Sequence, residues 1–232
     1  SVKPGNVFHG HPAYGMTHKD FLQSSMACSD VICEQNMDIG EKILECIRSS
    51  MDVVGCNTNL GIILLCVPIV EALYMDKDHK FLQSNLEKVI NSINEKQTKN
   101  IYKAINLAKA GGMDSKDKFD LNDNKSKDFT LLEAMNFASS YDFIAGEYSN
   151  NFDNIINTIS VNWRNYFKLM GNGESATTAT FLKLISSNPD SLIARKHGLD
   201  KAKEVSERFK TIADEYCASK NPNNLNNQLL LL

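Results

Sequence analysis

The sequence has no alternation of apolar and polar residues long enough to mark a β-strand, and no internal repeat of fixed length. It also lacks a G-x-G-x-x-G stretch, a P-loop and a Ser-His-Asp constellation, so the usual dinucleotide, Walker-type and acyl-transfer sites have no candidate residues. None of the six cysteines forms a C-x-x-C pair. That spacing argues against a zinc cluster and a disulfide frame, and predicts buried free thiols of a reducing cytoplasm. The net charge of −3 leaves no basic footprint for nucleic acid. The longest apolar run, Leu60–Leu73, is shorter than the ~20 residues that span a bilayer. It also carries Glu71, so it reads as core and no membrane partner is expected. No charged-then-apolar leader opens the chain, which fits a cytoplasmic location; a start on Ser1 rather than Met suggests a piece of a longer protein.

What is present is an ordinary globular composition, 42% hydrophobic and 23% charged over 232 residues. Helical spacing of the apolar residues predicts an all-α fold: a single multi-helix bundle of nine or ten helices around a buried central helix at about residues 60–73. Residues 1–220 are expected to form one helical domain. The Asn-rich tail, 221–232, has no helix period and is expected to be disordered or incomplete.

The stretch Val54–Leu73 organises this reading. A polar elbow, Gly55-Cys56-Asn57-Thr58-Asn59, leads into an almost wholly apolar helix interrupted by Pro68, which should kink the helix or free a carbonyl. Free N–H groups at such a helix start suit a phosphate, and they equally suit simple capping by Asn57 or Thr58. Before the elbow, Lys3-Pro4-Gly5-Asn6 has turn chemistry. His9-Gly10-His11, if extended, would point both imidazoles one way and offer a metal two ligands, or else form a solvated loop. Thr17-His18-Lys19-Asp20 opens a helix to about Gln35 with Phe21, Leu22, Met26, Ser29, Ile32 and Cys33 facing inward. Asp38–Val54 is a second amphipathic helix.

Further on, Asp78 is a candidate cap for a helix from His79 to about Asn94, and Thr98 for the next one, ending at Gly111-Gly112. Met113–Asp128, poor in apolar residues, reads as a mobile loop or lid. Thr130 and Glu133 make a capping box for a helix to about Tyr148. Asp142 and Glu147, within that helix or at its end, are either one exposed acid and one ion-paired acid or carboxylates for Mg²⁺ near a phosphate. Helices follow at Asn150–Met170, Ser175–Ser187, Ser191–Lys196 and Leu199–Ser219. If the polar breaks between helices met at one end of a bundle, Lys3, Arg195 and Lys196 would supply cations for a phosphorylated ligand with Mg²⁺.

Those same breaks resemble the motifs of the triphosphoribosyl-dephospho-CoA synthase family. Lys3-Pro4-Gly5-Asn6-Val7 is similar to the family's K-P-G-L-V, and Thr17-His18-Lys19-Asp20-Phe21 to its G-A-H-x-D-M. Gly55-Cys56-Asn57-Thr58-Asn59-Leu60-Gly61 resembles G-V-N-T-H-K-G, and Asp190 through Gly198 resembles D-T-x-x-x-R-x-G. Order and approximate spacing agree across about Lys3–Tyr216. The departure is Asn59-Leu60 in place of His-Lys, which removes a point charge suited to a triphosphate and looks like an archaeal-type branch.

The resemblance implies a transferase that joins the triphosphoribosyl group of ATP to the ribose 2′-hydroxyl of 3′-dephospho-CoA and releases adenine. ATP is then a substrate, Mg²⁺ its expected companion, and small molecules the only partners; the sequence does not specify an oligomeric state. On that resemblance Asp20 orients the hydroxyl or a metal, and His18 assists proton transfer. Lys3 and Arg195 hold phosphates, with Gly5 in the same turn as Lys3. Asn57, Thr58 and Gly61 bind ribose or phosphate at the helix start, and Asp190 contacts metal or ribose. Asp20, Asp142 and Glu147 are the candidate metal ligands. The alternatives are a related transferase with another phosphorylated substrate, for which Asn59-Leu60 argues, and a non-catalytic helical nucleotide-binding protein.

Overall fold

A computed structural model describes residues 1–76, 78, 80–109 and 130–230. His79, Gly111-Gly112 and the loop or lid expected at Met113–Asp128 lie outside the described residues. The chain is all-α, with only two isolated β-bridges among the described residues, Phe8 with His11 and Ala13 with Met16. It divides into two compact units: Ser1–His18 with Asn154–Leu232, and Lys19–Asp153.

The Lys19–Asp153 unit holds α1 (His18–Cys33, apart from its first residue), α2 (Ile39–Val54), α3 (Leu60–Tyr74), α4 (Leu82–Asn91), α5 (Glu95–Leu107), α6 (Leu131–Ala138) and α7 (Phe143–Ser149). Helix α2 begins as its sequence predicts. Asp38 accepts the Glu41 N–H at 2.9 Å, and Gly55, at φ 71°, ends the helix in the left-handed conformation that glycine adopts without penalty. Its stripe of Ile39, Ile43, Leu44 and Ile47 is buried. Helices α2 and α5 cross so closely that a Cβ on Gly40 would lie 2.5 Å from the Gln97 backbone.

Helix α3 buries Leu60, Ile63, Leu64, Val67, Pro68 and Ala72, while Ile62 stays exposed. Pro68 has no N–H for the Leu64 carbonyl, and the buried Tyr148 hydroxyl donates to that carbonyl at 2.7 Å. Burial holds the Tyr148 phenol well above the usual tyrosine range, so it remains a donor. Lys42 of α2, fully buried, is paired with Glu71 of α3 and lies 6.0 Å from the Tyr74 ring centroid.

Four expectations are corrected in this unit. The inner face of α1 is Ser24 and Cys28, whereas Leu22, Met26, Ser29 and Cys33 are exposed. Small side chains that bond Thr58 and Ser50 won that face over the apolar stripe. Asp76, not Asp78, accepts the N–H groups of the turn before α4, from Asp78 at 3.1 Å and Lys80 at 2.9 Å. Asn94, not Thr98, caps α5 in a reciprocal box with Gln97, and Thr98 instead returns its hydroxyl to the Asn94 carbonyl. The helix opened by the Thr130–Glu133 box ends at Ala138, because Asp142 caps a new helix through the Ala145 N–H at 2.9 Å.

The other unit contains a π-helix at Asn154–Ile159 that runs into α8 (Ser160–Met170), then α9 (Gly173–Ser187), α10 (Ser191–His197) and α11 (Leu199–Ala218). Helices α9 and α11 enclose its core around Leu182, Phe209, Ala213 and Tyr216. The Asn-rich tail forms a 3₁₀ turn, Pro222–Leu225, and α12 (Asn226–Leu229), which places Leu229 in that core. Trp163 stacks on Phe167 at 5.2 Å and donates to the Thr177 hydroxyl at 3.0 Å.

Candidate active site

In the unit of Ser1–His18 with Asn154–Leu232, Lys3 and Gly5 begin a run of tight turns. The Asn6 N–H bonds the Lys3 carbonyl at 3.0 Å, with Gly5 at φ 76°, as a proline-glycine turn of the second type requires. The turn is tied to α9, where the Thr178 hydroxyl donates to the Val2 carbonyl at 2.9 Å. Phe8 and His11 then exchange backbone bonds about Gly10, and Ala13 and Met16 about Tyr14-Gly15. His9 and His11 therefore sit in a turn rather than on an extended segment, and their rings go different ways. His11 stacks on Phe8 at 4.3 Å, while the His9 ring lies 4.6 Å from that of His18.

Asp190 caps α10 by accepting the Ile193 N–H at 2.8 Å. Exposed Arg195 and Lys196 follow in the last turn of α10, and Lys196 Nζ lies 5.6 Å from the Tyr14 ring centroid. The unit thus brings α10 and the Tyr14 turn together, and anchors the Lys3 turn to α9.

In the Lys19–Asp153 unit the elbow rests on a buried polar network. Asn57 Oδ1 accepts the Leu60 N–H at 3.1 Å, so Asn57 does cap the helix. Thr58 and Ser24 share a hydroxyl–hydroxyl bond of 2.6 Å, and Ser24 donates to the Asp20 carbonyl at 2.8 Å. Asn59 turns inward, donating to Ser50 Oγ at 2.9 Å and Cys28 Sγ at 3.3 Å. Cys28 lies against the Cys46 carbonyl at 3.2 Å. Hydrogen bonding with the Cys46 side chain, then with Ser50 and Asn59, outweighs burial and lowers the Cys28 thiol to about 6.

Sequence reasoning gave Ser24, Cys28 and Ser50 no role at the site, because small polar residues on a helix mark no apolar stripe. The i, i+4 pairing of Asp20, Ser24 and Cys28 was the one clue.

Gly61 has a packing role: a Cβ there would lie 2.9 Å from Ile144 Cδ1 of α7. Asp142 serves as the α7 cap, and Glu147 is fully buried. Among the described residues no three His, Cys, Asp or Glu side chains gather as a metal site, so Asp20, Asp142 and Glu147 do not make one by themselves. Nor is any helix among them long and apolar enough to cross a membrane.

No curated protein matches the chain. A crystal structure from Archaeoglobus fulgidus, described as a triphosphoribosyl-dephospho-CoA synthase, superposes with a TM-score of 0.60 over 91% of this chain and 97% of that one. At 22% identity that likeness carries the fold alone. The sequence itself, over residues 1–230, fits the family model of CitG, ATP:dephospho-CoA triphosphoribosyl transferase. The chain therefore belongs to that family, as an enzyme transferring a triphosphoribosyl group from ATP to dephospho-CoA.

Proposed function

We propose that the transfer proceeds by attack of the ribose 2′-hydroxyl of dephospho-CoA on C1′ of the ATP ribose. The new O–C1′ bond forms as the bond from C1′ to the adenine nitrogen breaks, and the hydroxyl proton is balanced by protonation of the departing adenine. The observation that supports this reading is the family match over residues 1–230, with the four polar motifs falling in the family's order. The chemistry needs a partner for the attacking hydroxyl, a proton for the leaving base and donors for the phosphates.

On this reading His18 moves the proton, and Asp20 orients the attacking hydroxyl. Lys3 and Arg195 hold phosphates, Asp190 contacts the ribose with the oxygen its cap bond leaves, and Asn57 and Thr58 contact ribose or phosphate. Gly61 supports the elbow by letting α7 pack close. A Mg²⁺ accompanying the ATP phosphates would need only one or two protein carboxylates, and Asp20, Asp142 and Glu147 are the acids proposed to supply them. The enzyme works in the cytoplasm on small-molecule substrates.

The test is to incubate the protein with Mg-ATP and dephospho-CoA and follow free adenine and the adduct by mass-resolved chromatography. Adenine together with a dephospho-CoA adduct of triphosphoribosyl mass is expected. Intact ATP beside a folded protein would refute the scheme. Replacing Asp20 or Asn57 with Ala should reduce turnover far more than it lowers the melting temperature.

A further inference from the structure

We infer that the Thr58 hydroxyl is a hydrogen-bond acceptor that recognises a sugar hydroxyl of the bound nucleotide and not its phosphates. The inference rests on the reading of the elbow given above and settles the polarity of one of its residues.

The argument is a count of protons. The Asp20 carbonyl can only accept, so the bond of 2.8 Å to it takes the single Ser24 proton. Ser24 Oγ then has only lone pairs to offer Thr58, and the 2.6 Å bond between the two must be donated by Thr58. The relay runs from the Thr58 O–H to Ser24 Oγ, and from the Ser24 O–H to the Asp20 carbonyl. Ser24 is fully buried and Thr58 is 8% exposed, so water cannot readily rearrange it.

Thr58 Oγ1 is left with its two lone pairs, and its one proton is spent on Ser24. Among the described residues its hydroxyl has no hydrogen bond other than that to Ser24. A group in that state attracts a donor. Phosphate oxygens near neutral pH present acceptors, and a ribose presents O–H donors.

Asn57 has the opposite polarity. Its Oδ1 is taken by the Leu60 N–H, which leaves its side-chain N–H₂ to donate. A donor at Asn57 and an acceptor at Thr58 suit the junction of a phosphate and a sugar. Asn59 takes no part, because its N–H₂ is spent inward on Ser50 and Cys28.

The experiment measures binding by calorimetry on the full chain, with no acceptor substrate, using ATP, 2′-deoxy-ATP, 3′-deoxy-ATP and inorganic triphosphate. Wild type is expected to favour ATP over one of the deoxy nucleotides by about tenfold, the effect of one hydrogen bond. Thr58→Val should remove that preference and leave triphosphate affinity unchanged, while Thr58→Ser should keep both. Ser24→Ala, which frees the Thr58 proton, should weaken the preference without lowering triphosphate affinity. Thermal melts of all three variants check folding, and Thr58→Ser and Ser24→Ala stand in if the valine variant melts early. Equal loss of ATP and triphosphate binding in Thr58→Val would overturn the inference and make Thr58 a phosphate ligand. So would a wild type that binds ATP and both deoxy nucleotides equally. A wild type that binds neither ATP nor triphosphate would overturn the reading of the elbow as well.

Discussion

Tyr148 donates its hydroxyl to the carbonyl of Leu64, the acceptor that Pro68 four residues later leaves without its helical partner. Removing that hydroxyl strands a buried carbonyl. Tyr148→Phe is expected to cost about 1–3 kcal/mol, read from urea unfolding. In a Pro68→Ala background the restored N–H can serve Leu64, so the same change should cost much less. Equal costs in the two backgrounds would show that the phenol stabilises by packing.

The ion pair of Lys42 and Glu71 joins α2 to α3, with the lysine fully buried and Glu71 27% exposed. Lys42→Met leaves Glu71 partly buried without its cation, and should cost about 3 kcal/mol, the low end for breaking such pairs because Glu71 reaches water. Replacing both as Lys42→Met with Glu71→Leu should recover most of that loss. A double variant as unstable as the single would mean that the charges also serve another group.

Two glycines permit close crossings and should respond differently to a methyl group. Gly61→Ala presses on the far end of Ile144, a side chain that can move, so a loss of about 1–2 kcal/mol is expected, relieved by Ile144→Val. Gly40→Ala presses on the Gln97 backbone, and its cost should be larger and not relieved by any side-chain trim nearby. Thermal melts of the three variants give the order.

The capping box at α6 carries a pH signature. Hydrogen bonds from the Thr130 backbone and then its side chain hold the Glu133 carboxyl below its ordinary value. A depressed carboxyl contributes stability above its unfolded pKa of about 4.3, and that contribution fades as the pH falls through the folded value. Glu133→Gln should therefore narrow the difference in melting temperature between neutral and acid solution. An identical acid loss in wild type and variant would remove Glu133 from the list of acid-sensitive groups.

The parts of the fold legible in the sequence are those written in local chemistry. Asp38 and Gly55 bound α2, Thr130 with Glu133 opens α6, and Pro4-Gly5 makes a turn, because each signal is satisfied within a few residues of itself. The errors have a common physical source. Competing caps such as Asp76 against Asp78 and Asn94 against Thr98 differ by a few residues and offer similar chemistry. The inward face of α1 was hidden because Ser24 and Cys28 gain their place through bonds to residues 22 to 34 positions away. At the elbow the sequence pointed to Asn57 and Thr58, but only the geometry separates a residue whose donor is free from one whose donor is spent.

Trp163 is the single tryptophan of the chain, and its stacking on Phe167 and bond to Thr177 lie wholly within the unit that contains Asn154–Leu232. Its emission is thus a local optical reporter, blind to events confined to Lys19–Asp153. A melt followed by that emission watches one unit, while circular dichroism averages the helices of both. Superimposable curves would mark a single cooperative transition; displaced ones would give each unit its own melting temperature from one unlabelled sample.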